Sequence, residues 1–337
     1  MTQPPRIWAL LGPRTGDNNQ VLALAEALGL PFETRSLSYN LLRALDGRIL
    51  GESLASLTSE SRSWLNPPWP DLIIAIGRRS VPIARWIRTA NDGRTKLVRI
   101  GHPRIDPGLF DLVITTRQYP VPPGDNVLLL PLAMSRYRTA PSIDPDEREY
   151  LDRLPRPHLL MAIGGATKYW ELAPDHIAEA ARKLCQRAQR AGGTLIAVPS
   201  PRTDAESVRA LKEAVASRQG VCHFIADRRP RFPVLLADAD EIFVTGDSVS
   251  MLSEAVLTKK PVGLIPIELS DKGRRKLGDS IQESGRGRRR RDLRRFWKHL
   301  HDLRLIGSLD RPVSGGVSDP AITAARAVRA LLGDPVE

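Results

Sequence analysis

Ser248, Ser250 and Glu254 stand where a helix starting at this point would set a carboxylate one turn beyond two hydroxyls. The stretch 241–267, EIFVTGDSVSMLSEAVLTKKPVGLIPI, reads as strand, polar turn, amphipathic helix and strand, the unit that builds a parallel sheet. Ligands of such sheets arrive at the carboxyl ends of the strands, where this turn lies. The serines would join free N–H groups at the positive end of a helix, a setting that favours phosphate. Asp247 can cap the helix, and Glu254 is placed for the hydroxyls of a ribose. The competing reading makes Glu254 a solvated helix residue and the serines caps only. Met251, Leu252, Ala255 and Val256 share the other face and are expected to pack on the sheet.

Further loops carry candidates. In GPRTGDNN (12–19), Asp17 is either a helix cap or, with Asn18, an acceptor contact in which Asp17 serves as general base. Arg78 and Arg79 follow a strand and either bind an anion or form a solvated rim. His102 lies on a loop at the same edge and is read as structural or as a substrate contact. The pair Gly164-Gly165, followed by Thr167 and Lys168, would let a backbone approach diphosphate closely; otherwise it is a tight turn. Asp238-Ala239-Asp240 imitates a metal-binding DxD. These aspartates end a helix before a buried strand, so a metal-independent site is expected.

Each loop needs a strand before it and a helix after it. Apolar runs at 7–11, 72–76, 97–100, 112–114 and 127–130, with an alternating strand at 32–37, supply one set. Runs at 159–163, 194–198, 221–225, 242–244 and 262–265 supply a second. The fold class expected is α/β, with two doubly wound Rossmann-like domains facing across a cleft. Residues 1–145 form the first, 155–319 the second with a basic insertion at 271–304, and a helix at 320–337 packs back across the junction. The proline-bearing segment 140–157 is read as the linker.

Two stretches, TGDSVSMLSEA (245–255) and LGPRTGDNNQVLALAEALGLP (11–31), resemble the signature blocks of the mitochondrial-fission "elongate mitochondria" family, whose fold is GT-B-like. The first also resembles the donor segment of GT-B glycosyltransferases. That resemblance implies that Ser248, Ser250 and Glu254 take the phosphate and ribose roles, and that Gly164, Gly165, Thr167 and Lys168 line the same nucleotide. It implies an acceptor at Gly12, Gly16, Asp17, Asn18 and Gln20. Family members carry two consecutive arginines where this chain has Pro201-Arg202, which leaves Arg202 as an anion contact. The activity implied is a sugar-nucleotide-dependent transferase with no cofactor, its nucleoside-diphosphate sugar being a substrate. The alternative is a non-catalytic adaptor that recruits partners at a membrane.

Composition bounds these readings. Fifty Lys and Arg against 38 Asp and Glu give a net charge of +12, which predicts anionic partners. Seven of the ten residues from Arg286 to Arg295 are Arg. That run is read as a solvated insertion, as an anchor on acidic lipid with Phe296, Trp297 and Leu300 entering the interface, or as a nucleic-acid contact. Nucleic acid ranks last because stacking aromatics are scarce. No apolar run approaches the roughly 18 residues of a membrane span. Cys185 and Cys222 are the only cysteines, so neither a disulfide scaffold nor a thiolate metal site is expected. The expectation is a cytoplasmic protein, peripheral on the inner membrane face if the basic run binds lipid.

Overall fold

The computed structural model describes residues 4–45, 47–137, 141–216, 220–225, 229–278, 280–281 and 290–333. They fall into two compact units. The first takes the described residues of Met1–Arg136, Ser284–Arg291 and Ser318–Glu337; the second takes those of Tyr137–Glu283 and Asp292–Val317. No described helix is long and apolar enough to cross a membrane.

In the first unit, β1 (Ile7–Leu11), α1 (Thr15–Ala27), β2 (Phe32–Ser36), α2 (Gly47–Leu50), α3 (Ser59–Ser63), β3 (Leu72–Ile76), α4 (Val81–Ala90), β4 (Lys96–Ile100), β5 (Leu112–Thr116) and β6 (Val127–Leu130) follow in order. The sheet runs β2-β1-β3-β4-β5-β6, all parallel, with Ile7 opposite both Phe32 and Leu72. β1 and β3 send their connections to opposite sides, so a topological switch point opens beyond their carboxyl ends. One sheet face is covered by α1, whose Val21, Leu24 and Leu28 join Ile7, Ile74 and Ile114 in a buried cluster. The strands β1, β3 and β5 are buried along nearly their whole length because both faces are covered, whereas edge strand β2 is largely exposed.

The second unit holds α5 (Pro145–Asp152), β7 (His158–Ile163), β8 (Trp170–Glu171), α6 (Pro174–Arg190), β9 (Thr194–Pro199), α7 (Ala205–Ala216), β10 (Cys222–Phe224), α8 (Phe232–Asp238), β11 (Glu241–Thr245), α9 (Val249–Leu257), β12 (Val262–Ile265), β13 (Glu268–Leu269), α10 (Asp271–Leu277), α11 (Leu293–Asp302) and β14 (Gly307–Ser308). Its main sheet is β10-β9-β7-β11-β12-β14, with a switch point between β7 and β11. The closing helix α12 (Pro320–Leu332) belongs to the first unit: Ala321, Ala324 and Val328 enter its core, and Arg329 donates to the Leu28 carbonyl.

Several sequence expectations need correction. The segment read as a linker contains α5. Glu147 accepts hydrogen bonds from the Arg231 guanidinium and the Asp144 N–H, and the Arg231 hydrogen bond, first among the causes, holds its carboxyl down at about 2. Cys185 and Cys222 are paired as a disulfide between α6 and β10. Phe296 and Leu300 are not available to a membrane, because α11 buries them completely with Leu293. Trp297 donates its indole N–H to the Gly246 carbonyl at 2.9 Å and packs against Trp170. Residues 286–289 of the basic run lie outside the described residues; of the rest, Arg291 donates to Gln118, and Arg294 pairs with Asp292.

Burial on that scale makes Phe296→Ala expensive. We expect a loss of about 3–5 kcal/mol in urea unfolding of the full chain; a Phe296 reserved for lipid would be replaced at no measurable cost.

Candidate functional site

At the switch point of the second unit, Asp247 decides which donors remain free. Its buried carboxylate accepts from the Gly165 N–H (2.9 Å), the Thr245 hydroxyl (2.7 Å) and Arg202 (3.1 Å). Thr245 in turn accepts from the Gly164 N–H at 2.8 Å. Both glycine amides expected to cradle diphosphate are therefore engaged by protein. The glycines are required for close packing instead: a Cβ on Gly164 would meet Asp247 oxygens at 2.1 Å, and one on Gly165 the Arg202 carbonyl at 2.2 Å. Asp247 is thus no helix cap. Ser248 takes that role, its hydroxyl accepting from the Met251 N–H at 3.4 Å.

Among the described residues, no acceptor meets the Val249 and Ser250 N–H groups or the Ser250 hydroxyl. Glu254 follows Ser250 by one turn, half-buried and without a hydrogen bond or ion pair among the described residues. Desolvation alone pushes its carboxyl up to about 7. Tyr137 lies within its field, its phenol raised by burial first and by Glu254 second. Thr167 donates its N–H to the Trp170 carbonyl, and Lys168 is exposed over the Tyr169 ring. The Asp238-Ala239-Asp240 carboxylates are occupied by Arg156 and His158.

The first unit has a cavity of about 300 Å³ at the carboxyl ends of β1, β3, β4, β5 and β6, a volume typical of small-molecule sites. Gly12, Asp17, Gln20 and His102 line it; Gly16 and Asn18 do not. Asn18 braces the turn, its amide exchanging two 2.8 Å hydrogen bonds with the Gly12 N–H and carbonyl. Asp17 is not a cap either: α1 begins at Thr15 after Arg14, and Asp17 lies in its first turn. Its carboxylate has no hydrogen bond or ion pair among the described residues, and burial raises its pKa against the lowering fields of Arg14, Arg99 and Arg291. The His102 ring accepts from the Arg104 N–H at 2.9 Å and meets Tyr119 edge-on.

Sequence reasoning passed over Arg99, the most unusual residue of this cavity. It is 2% exposed on a central strand, and its guanidinium donates to the carbonyls of Gly77 (2.9 Å) and His102 (3.2 Å) and to Ser80 (3.3 Å). Its Nε has no partner, and burial lowers its pKa to about 10. The signal was present: a charged residue inside the apolar run KLVRI is costly unless something answers it. Gly246 is a second omission, since a Cβ there would meet the Trp297 ring at 2.6 Å.

Solved structures similar in fold include bacterial ones. The chain aligns with the UDP co-structure of S. aureus MnaA at 12% identity over 99% of this chain and 98% of that one (TM-score 0.55). It aligns with a putative UDP-N-acetylglucosamine 2-epimerase of Listeria monocytogenes at 15% identity over 98% and 97% (TM-score 0.54). These likenesses identify a GT-B-like fold. In sequence, the mitochondrial fission protein ELM1 of Arabidopsis thaliana is 27% identical over 244 residues, 64% of this chain and 56% of that protein. An uncharacterized protein of Rickettsia prowazekii is 31% identical over 109 residues, 32% of this chain and 30% of that one. The model of the family described as Mitochondrial fission ELM1 matches residues 15–308, most of the chain, and this protein belongs to that family.

Proposed function

We propose that this protein is a metal-independent glycosyltransferase that takes a nucleoside-diphosphate sugar on its second unit and an acceptor in the cavity of its first. The observation that carries the reading is Glu254. An unpartnered, desolvated carboxylate one turn beyond unsatisfied helix N–H groups suits a ribose beside a diphosphate. The UDP of the MnaA co-structure and the UDP-GlcNAc of a Neisseria meningitidis epimerase complex (10% identity, TM-score 0.51) give the same class of ligand on this fold.

In the transfer, Asp17 takes the proton of an acceptor hydroxyl, whose oxygen forms a bond to the anomeric carbon. The bond from that carbon to the diphosphate breaks, and the nucleoside diphosphate leaves with the electron pair. The N-terminus of α9 favours the departing charge. Arg202 is a cation beside this turn, although it already answers Asp247.

The internal satisfaction of Gly164 and Gly165 favours the second reading, a non-catalytic adaptor at a membrane, because it removes two diphosphate donors. Calorimetric titration with UDP separates the two. The transferase reading expects binding that Glu254→Ala weakens by about tenfold or more; no heat with any nucleoside diphosphate would leave the adaptor.

A ribose hydroxyl donates to carboxylate, so UDP affinity should rise with pH through about 7, more steeply in the parent than in Glu254→Gln. Stability runs the other way. Between 4.5 and about 7 the folded chain holds a proton that the unfolded chain releases. Glu254 therefore makes ligand-free protein lose stability across that window as pH rises, and Glu254→Gln should lose less over the same range. Thermal melts at pH 4.5, 6 and 8 read this directly.

For Asp17 the expected result is kinetic. Asp17→Asn should lower kcat by about 10²–10⁴-fold with UDP binding unchanged. In the parent, the rate should fall as pH drops through a carboxyl pKa above the ordinary Asp range; equal rates for parent and variant would remove Asp17 from the chemistry.

A further inference from the structure

The cavity of the first unit has an electrostatic peculiarity that a neutral acceptor would not require. Its lining includes Arg14, Arg78, Arg79, Arg99 and Arg104, and Asp17 is the only carboxylate among the lining residues. None of the five makes an ion pair with a described carboxylate. Arg99 is the extreme case: a fully buried guanidinium held by neutral oxygens, with one N–H left over. Asp17 acts on it only through its field, without a hydrogen bond or ion pair, so a buried guanidinium of this kind favours an arriving anion.

Arginines also stand at two helix N-termini around the cavity. Arg14 sits at the N-cap of α1, where no side chain caps the helix, and Arg78 and Arg79 precede α4, whose first turn has no acidic residue. Cations at helix N-termini oppose the dipole. Arg104 adopts φ 65° on the loop after β4, a conformation that non-glycine residues seldom hold without a local reason. Arg79 lies 5.8 Å over the Tyr39 ring, which fixes its guanidinium beside the cavity.

We propose that this cavity binds the phosphate group of a phosphorylated acceptor, with Arg99 at its base and Arg79 and Arg104 at its rim. A doubly charged phosphate suits several guanidinium groups better than a single carboxylate does, because it offers three oxygens to planar, forked donors. The acceptor role rests on the transferase reading above; the phosphate site does not. The same chemistry could come from a soluble phosphomonoester or a lipid headgroup. Leu41 and Leu42 are exposed on the turn just after Tyr39, which makes the lipid source worth a separate arm.

The test uses the full chain. Inorganic phosphate and glycerol 3-phosphate are titrated calorimetrically, and phosphatidylcholine vesicles are compared with and without phosphatidic acid. The expected result is binding in at least one arm that weakens by about tenfold or more in the Arg79→Ala/Arg104→Ala double variant. UDP titration should be unchanged in that variant, and phosphate binding unchanged in Glu254→Gln. Arg99→Met should abolish phosphate binding; if it fails to fold, the double variant still decides. No binding at millimolar phosphate and no dependence on phosphatidic acid would overturn the proposal. So would equal binding by parent and double variant, or complete displacement of phosphate by UDP at one shared site. Phosphate binding that persists where no nucleotide binds would retain the cavity assignment and remove the donor assignment.

Discussion

The carboxylate of Asp247 is the constraint on which the second unit's chemistry depends. Three donors from three segments converge on it: the Gly165 N–H after β7, the Thr245 hydroxyl at the end of β11, and Arg202 after β9. Buried charge is tolerated only when it is this thoroughly answered. The consequence reaches beyond stability. With Asp247 taking the Gly165 N–H and Thr245 that of Gly164, the Val249 and Ser250 N–H groups of α9 are the donors at this switch point without an acceptor among the described residues. Trp297 closes the turn from the other direction by holding the Gly246 carbonyl.

The first unit uses the same architecture with the opposite balance. Both sheets are parallel, both divide at a strand whose neighbours lead to opposite sides, and both gather their loops at the carboxyl ends. In the second unit the central charge is matched within the protein. In the first, Arg99 reaches across the loops after β3 and β4 and meets only carbonyl and hydroxyl oxygens. Those contacts hold the loops in place, while Asp17, the one carboxylate lining the cavity, acts on Arg99 through its field without pairing with it.

The fold was legible because buried parallel strands are written as unbroken apolar runs. LIIAI and HLLMAI lie where the runs stop and start, and the glycine-bearing turns follow them. Less legible was what each polar residue does at a turn. Asp247 and Ser248 are both good N-caps, and only the position of the neighbouring loops shows that the serine caps while the aspartate clamps. The spacing of Asp144 and Glu147 marked a capping box inside a stretch that looked like linker. The aromatic residues of α11 were ambiguous for a different reason. An amphipathic helix has the same pattern whether its apolar face meets lipid or a sheet, and tertiary context alone decides.

Asp17 and Glu254 complete the comparison. Both are carboxylates whose protons are held by desolvation, and neither has a hydrogen bond or ion pair among the described residues. Their surroundings differ. Glu254 has no opposing positive field, so burial sets its pKa alone and carries it to about 7. Asp17 feels Arg14, Arg99 and Arg291, which pull against burial. A carboxylate that only receives hydroxyl hydrogens gains from an environment without competing cations, since its full acceptor strength is kept for the ligand. A carboxylate that must take up a proton works differently. The arginines oppose the burial that raises its pKa, and an arriving phosphate that cancelled their field would raise its basicity further when the acceptor is in place. Arg14 and Arg99, two of the five guanidinium groups that line the cavity, would then couple acceptor binding to activation of the base.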